Sequence, residues 1–280
     1  MDFLDWCDDS RTGAEAADQR ELLGYIGHLQ KRELKQRTVQ LYIRNLKHYY
    51  DWLIKREIRE DNPINQIDIK GVKRQFLYDI LNKQELEKLY HDFKIPEENA
   101  KDKDQNWYKN SLLVAKRNKA ILGLMIWQGM GSRELAKLKT EDLNLREGKI
   151  KIQGGRRYNE RTLQLEAAQI LDLMEYSLQT RTALLKTSGK ESELLFISSG
   201  KSHSINNAMG KLMKKLKVQN PKVTSAKQIR ASVITYWLKN HNLREVQYKA
   251  GHRYVSSTEA YLVNDLDDLQ EDILKFHPIG

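Results

Sequence analysis

Residues 243–261, with the sequence LREVQYKAGHRYVSSTEAY, lie in the last third of the chain and contain basic residues, one histidine and a tyrosine at the end. Within this stretch His252 follows a glycine and precedes Tyr261 by nine residues. Just upstream, the sequence KQIR places Lys227 three residues before Arg230. Lys227, Arg230, His252 and Tyr261 are therefore the first candidates for the chemistry of this protein.

The pattern further upstream predicts a mainly helical domain with one small β-hairpin. Residues 117–130 are an almost continuous apolar run, long enough for a buried core helix. Residues 149–153 and 162–165 alternate apolar and polar side chains around the turn-forming sequence GGRRYN at 154–159, which predicts a hairpin with arginines at its tip. Residues 194–197 are interpreted as a short buried strand.

The N-terminal part has the pattern of a separate helical unit. Apolar residues recur at three- and four-residue steps over 39–53, after a predicted N-cap at Thr38, and residues 22–29 outline another helix. The polar face of the longer helix carries Arg44 and Lys47. This basic face makes the unit a candidate for binding a polyanion.

A weakly periodic, basic stretch at residues 66–76 is interpreted as a linker. We therefore predict an N-terminal domain over 1–75 and a C-terminal domain over 76–280. The second domain is expected to open with a helix that Asn82 caps, with Glu85 as the third residue of that helix.

Composition restricts the class of protein before any family is considered. The 280 residues contain one cysteine, so no intramolecular disulfide is available, and no stretch has the ~20 apolar residues that span a bilayer. The formal net charge is +10, with basic excess over residues 22–261 and acidic ends. These features predict a cytoplasmic protein without membrane contact whose basic surface binds nucleic acid.

The motifs resemble those of the tyrosine recombinases, the phage integrase and Xer superfamily. The resemblance rests on the KQIR sequence, on glycine before His252, on the nine residues to Tyr261, and on further matches at 117–122, 134–142 and 38–63. It covers roughly residues 20–275. It implies a helical, SAM-like core-binding domain followed by a mostly helical catalytic domain with a small β-hairpin, the DNA breaking-rejoining fold.

The resemblance also implies a chemistry. Tyr261 would attack a DNA phosphodiester and hold the strand as a phosphotyrosyl intermediate, without a metal, another cofactor or a small-molecule substrate. Arg230 would stabilise the charge of the transition state, His252 would hydrogen-bond the phosphate or assist proton transfer, and Lys227 stands where most relatives have histidine. The implied partners are double-stranded DNA and further copies of the chain, as a tetramer on DNA.

The sequence departs from the family pattern at two places. The first arginine of the family would fall at Gly131, and the nearest arginine is Arg133, two positions later. Either Arg133 reaches the phosphate from an altered turn, or it has no role in the site. The hairpin lysine of the family is also replaced by arginines, which bind phosphate or contact the DNA backbone but do not act as general acids, so Lys227 or water would protonate the leaving group. These hairpin residues are Arg156, Arg157 and Arg161.

Two functions are compatible with this sequence. One is an active site-specific recombinase, which the four matching family positions favour. The other is a weakened homologue that binds DNA as an architectural or regulatory protein, which the displaced arginine and the missing hairpin lysine favour. We expect the recombinase. After Tyr261, residues 264–276 have the pattern of a short acidic amphipathic helix. This helix is expected to dock either on a neighbouring protomer or on its own chain.

Overall fold

The computed structural model describes residues 2–69, 78–97, 101, 104–156, 158–200, 202 and 204–262. The chain divides into two compact units, residues 1–74 and 75–280. The expected terminal helix at 264–276 and most of the expected linker lie outside the described residues. Among the described helices, none is long and apolar enough to cross a membrane.

The first unit is built from three helices, α1 (Asp2–Ser10), α2 (Gln19–Lys31) and α3 (Gln36–Lys55). The periodic apolar residues of α2 and α3 face each other and form one buried core, which burial of apolar surface stabilises. Helix α3 begins at Gln36 with Lys35 as its N-cap. The predicted cap at Thr38 is wrong, because that residue already lies in the first turn.

The second unit is mainly helical. Its helices are α4 (Lys83–His91), α5 (Asn106–Trp127), α6 (Ser132–Leu135), α7 (Ala167–Glu175), α8 (Arg181–Ser188), α9 (Asn206–Gln219), α10 (Ala226–Asn240), α11 (Leu243–Ala250) and α12 (Ser256–Glu259). The apolar α5 lies at the centre and packs against α4, α7, α8 and α10. As predicted, Asn82 and Glu85 form a capping box at the start of α4.

A small antiparallel sheet lies beside this helical core. Its strands are β1 (Leu143–Asn144), β2 (Lys149–Ile152) and β3 (Arg161–Gln164), in the order β1-β2-β3. Ile150 pairs with Leu163, so the apolar residues of both strands face the core. The predicted hairpin is therefore present. The predicted strand at 194–197 is wrong, since its residues are mostly buried but make a single bridge within the described part of the chain, between Leu194 and Lys139.

Candidate active site

Arg230 is the centre of the hydrogen-bond network at the candidate site. It lies on α10, whose first turn is fixed by the Ser225 side chain as N-cap. Its Nη1 donates to the carbonyl of Gly129 at 2.6 Å and to Glu134 Oε2 at 2.7 Å, and its Nη2 donates to the carbonyl of Ala250 at 2.6 Å. The guanidinium is thereby held in one orientation while 16% of the side chain stays exposed.

Glu134 joins this arginine to a second one. Its Oε1 lies 2.8 Å from Nη1 of Arg161 as an ion pair, and its Oε2 accepts from Arg230 and from the backbone N–H of Gly131. Burial alone would raise the pKa of Glu134, but Arg230 and Arg161 outweigh it and the net pKa is lowered. Glu134 is therefore an ionised carboxylate between two guanidinium groups.

The hairpin is fastened to the turn that carries His252. The backbone N–H of Asn159 donates to the carbonyl of Gly251 at 2.9 Å, and Tyr158 forms a β-bridge with His252. From β3, Arg161 Nε donates to the carbonyl of Lys249 at 2.8 Å. The strands thus hold the C-terminal end of α11, and with it the imidazole, in register with the arginines.

His252 is a neutral imidazole in this setting. Burial, together with the positive charges of Arg230 and Arg161, lowers the pKa of His252 to about 4, and Glu134 only partly opposes this. Nδ1 lies 2.9 Å from the hydroxyl of Thr258, which is fully buried. A neutral ring held in this way can hydrogen-bond a phosphate or pass a proton at neutral pH.

Tyr261 stacks on that imidazole. The two ring centroids are 5.7 Å apart and the ring planes differ by 11°. Burial raises the pKa of the Tyr261 phenol, and the nearby positive charge of Arg230 opposes this in part. Arg230, His252 and Tyr261, which are widely separated in the sequence, therefore meet at one place.

The remaining candidates of the second unit lie on the surface. Lys227 is exposed in the first turn of α10, three residues before Arg230 and so near the same helix face. Arg133 is exposed on α6, and Arg156 is exposed at the hairpin tip. Arg157 lies outside the described residues.

The structure corrects the interpretation of Arg161. It was expected at the hairpin surface, where it would contact the DNA backbone, but only 2% of the residue is exposed. The reason is its place on β3, where it shares the inward face with Leu163 and reaches Glu134. Arg133, by contrast, stays exposed, and the second arginine on Glu134 is Arg161.

In the first unit, Arg44 and Lys47 both lie on α3. Arg44 is exposed. Lys47 is partly buried, donates to the carbonyl of Asn65 at 2.8 Å and lies 3.6 Å from Asp68. Lys47 therefore also fastens the chain after α3, and Arg44 is the freer of the two cations for a ligand.

Sequence reasoning missed Glu134 and Thr258 as parts of the site. Glu134 had a signal in the spacing from Gly131, since an acid at the third helical position commonly bonds back to the cap N–H. The burial of Arg161 also had a signal in the sequence, because its alternation with Leu163 and Leu165 places it on the buried face of the strand. The role of Thr258 had no signal in the sequence, because its contact with His252 depends on the turn between α11 and α12.

The sequence is similar to those of known tyrosine recombinases. The model of the phage integrase family matches residues 79–267. The chain is 26% identical to tyrosine recombinase XerC of Oceanobacillus iheyensis over 91% of this chain and 79% of that protein. It is 25% identical to tyrosine recombinase XerD of Listeria innocua over 99% and 89%, respectively.

Solved structures show the same fold. XerH site-specific recombinase, in a post-cleavage complex with its difH substrate, superimposes with a TM-score of 0.73 and 23% identity, over 97% of this chain and 76% of that one. The Tn1549 transposon integrase, in complex with transposon right end DNA, gives a TM-score of 0.59 at 14% identity, over 94% and 86%.

These findings define the class of protein as a tyrosine-type recombinase. With more than half of its residues matched by the family model, the chain belongs to the phage integrase family. The resemblance and the mainly helical fold with a small sheet are both confirmed.

Proposed function

We propose that this protein recombines double-stranded DNA at specific sites, with Tyr261 as the nucleophile. The observation that carries the proposal is the stacking of Tyr261 on a neutral His252 beside the fixed guanidinium of Arg230. The similarity to proteins named XerC and XerD supports recombination over a purely architectural DNA-binding role.

The proposed reaction is a transfer of the phosphoryl group from DNA to the protein and back. The Tyr261 phenol gives up its proton as its oxygen forms a bond to phosphorus, the bond from phosphorus to the 5′ oxygen breaks, and the 5′ oxygen takes up a proton. A free 5′ hydroxyl of another strand then reverses these steps and releases Tyr261. Because the phosphotyrosine ester conserves the bond energy, religation needs no external energy source.

Each side chain has a task in this scheme. Arg230 pairs with the non-bridging oxygens, where negative charge gathers in the transition state. His252 is uncharged at neutral pH and can exchange a proton with the phosphate or the phenol. Lys227, which lies near the same face of α10 as Arg230, is the proposed acid that protonates the 5′ oxygen. The hairpin residue Arg156 cannot take this role, because an arginine does not release its proton in a protein.

The proposed partner is duplex DNA, which exposed cations hold through its phosphates. Arg133 and Arg156 are exposed in the second unit, and Arg44 in the first. Solved neighbours of the same fold were determined with DNA. We further propose that copies of the chain assemble on DNA as a tetramer, so that two duplexes exchange strands.

A nicked suicide substrate tests the proposed reaction. Loss of a short 5′ fragment makes cleavage irreversible, so a covalent protein–DNA band should accumulate with the wild type and be absent with Tyr261→Phe. Tyr254→Phe is the matched control, since Tyr254 lies seven residues earlier and 66% of it is exposed. DNA binding without a covalent band in the wild type would refute the enzyme and leave the architectural function.

A further inference from the structure

Arg161 occupies an unusual place for a residue of a surface hairpin. Its side chain is completely buried, and it reaches from β3 to the carbonyl of Lys249 and to Glu134. Among the described residues its Nη2 has no hydrogen-bond partner. Burying a guanidinium costs free energy unless the group is paired and hydrogen-bonded. The burial of Arg161 therefore calls for a functional explanation as well as a packing one.

The backbone of the His252 turn is shaped around this side chain. Gly251 has φ +68, and a Cβ atom there would lie 2.3 Å from Nη1 of Arg161 and 2.8 Å from Cζ. Any larger residue at 251 would displace the guanidinium. Arg161 and the glycine before His252 are therefore one structural feature, although 90 positions separate them in the sequence.

The charges around Glu134 explain what Arg161 contributes. Glu134 alone would neutralise Arg230, and the pair would offer little attraction to a phosphate. With Arg161 on the other carboxylate oxygen, two positive charges face one negative charge. Arg161 is wholly buried whereas part of Arg230 is exposed, so the excess positive charge is available at Arg230.

We propose that Arg161 is a positioning residue of the active site, which balances Glu134 from beneath Gly251 so that Arg230 keeps its positive charge for the scissile phosphate. The proposal rests on the function proposed above. Arg161 itself touches neither phosphate nor DNA, and acts through Glu134 and the His252 turn.

A charge-balance experiment tests this directly. Arg161→Met should lower the first-order rate of covalent-complex formation at saturating DNA by about 100-fold, the size of effect seen when one transition-state donor is lost. Arg161→Met combined with Glu134→Gln restores the balance and should recover most of that rate. Arg117→Met is the matched control, because Arg117 is another buried arginine of this unit and bonds to the carbonyl of Ile197.

The conservative variant separates charge from shape. Arg161→Lys keeps the positive charge, and its rate should stay within about tenfold of the wild-type rate. This variant still tests the proposal if Arg161→Met does not fold. A purely structural role predicts that Arg161→Lys and the double variant are as impaired as Arg161→Met. Either of those results would overturn the proposal.

A measurement without DNA distinguishes this proposal from the proposed function. Nuclear magnetic resonance titration of the His252 ring, assigned with His252→Gln, should give a higher pKa in Arg161→Met than in the wild type, because one of the charges that lower it is removed. An unchanged pKa refutes the placement of Arg161 even if DNA is cleaved. A raised pKa in a protein that never cleaves DNA keeps the placement and refutes the reaction.

Discussion

The second unit carries charged side chains in two different settings. Glu134, Arg161 and Arg230 form a buried cluster, in which each charge lies within 2.8 Å of an opposite one. Arg133 and Arg156 are exposed to solvent. Buried charges depend on exact partners, whereas exposed ones act independently and are screened by salt. Substitutions should therefore have large, coupled effects in the cluster and small, additive effects at the surface.

The sharpest way to break the cluster is a methyl group at Gly251. Gly251→Ala should destabilise the fold by about 2–5 kcal/mol, from the cost of positive φ and from the collision with Arg161. Gly189→Ala is the matched control, because Gly189 also ends a helix with φ +63, but no atom of the described residues lies within 4 Å of its Cβ position. It should cost only about 1–2 kcal/mol in urea unfolding. Equal losses would contradict the close packing at Gly251.

Acid should unfold the protein partly through His252. Its pKa is lowered to about 4 in the fold, so the unfolded chain binds the proton more tightly, and stability falls as pH drops from about 6.5 to 4. The loss from this residue approaches about 3 kcal/mol at full protonation. The difference between wild type and His252→Gln in the pH dependence of unfolding separates the contribution of His252 from that of Glu134. Parallel pH profiles would show that His252 titrates normally.

A third test adds charge beside the cluster. Gly131 has φ −85 and ψ 160, an ordinary extended conformation, and a Cβ there meets only ordinary contacts with Glu134 and Arg230. Gly131→Arg should therefore fold and raise the cleavage rate about tenfold, the value of one charge-assisted hydrogen bond. Gly131→Ala is the control without charge. The same rate in both variants would show that the site needs no further arginine.

The smallest effects are expected from the exposed cations. Arg133→Ala and Arg156→Ala should each weaken DNA binding several-fold at all sequences and reduce the slope of log affinity against log salt by about one. Their cleavage rates at saturating DNA should stay within about threefold of the wild type. Fluorescence anisotropy over a salt series and the suicide substrate measure the two quantities. A large loss of cleavage in Arg133→Ala would instead place Arg133 in the reaction.

The sequence was most predictive where structure depends on local pattern. The hairpin strands and the Asn82 cap follow from alternation and from the spacing to Glu85, so both could be placed correctly. Thr38 was a plausible cap by residue type, yet α3 starts two residues earlier at Gln36, and helix ends of this kind are poorly fixed by pattern. A strand at 194–197 needed a partner strand, which local pattern does not supply.

The candidate site was predictable only in part for the same reason. The family spacing identified Arg230, His252 and Tyr261, which the structure brings together. The partner of Glu134 was not identifiable, because it depends on β3 approaching Gly251 across 90 positions of sequence. The assignment of Arg161 to the surface followed residue type rather than the inward face of the strand.

Tyr261 is the residue that we expect to form the covalent bond to DNA. Mass spectrometry of the trapped complex after nuclease and trypsin digestion should find one nucleotide residue on the peptide 254–275, and fragmentation should place it on Tyr261. Tyr254, which belongs to the same peptide, should carry no modification. A phosphotyrosyl bond at Tyr254 or on any other peptide would contradict it.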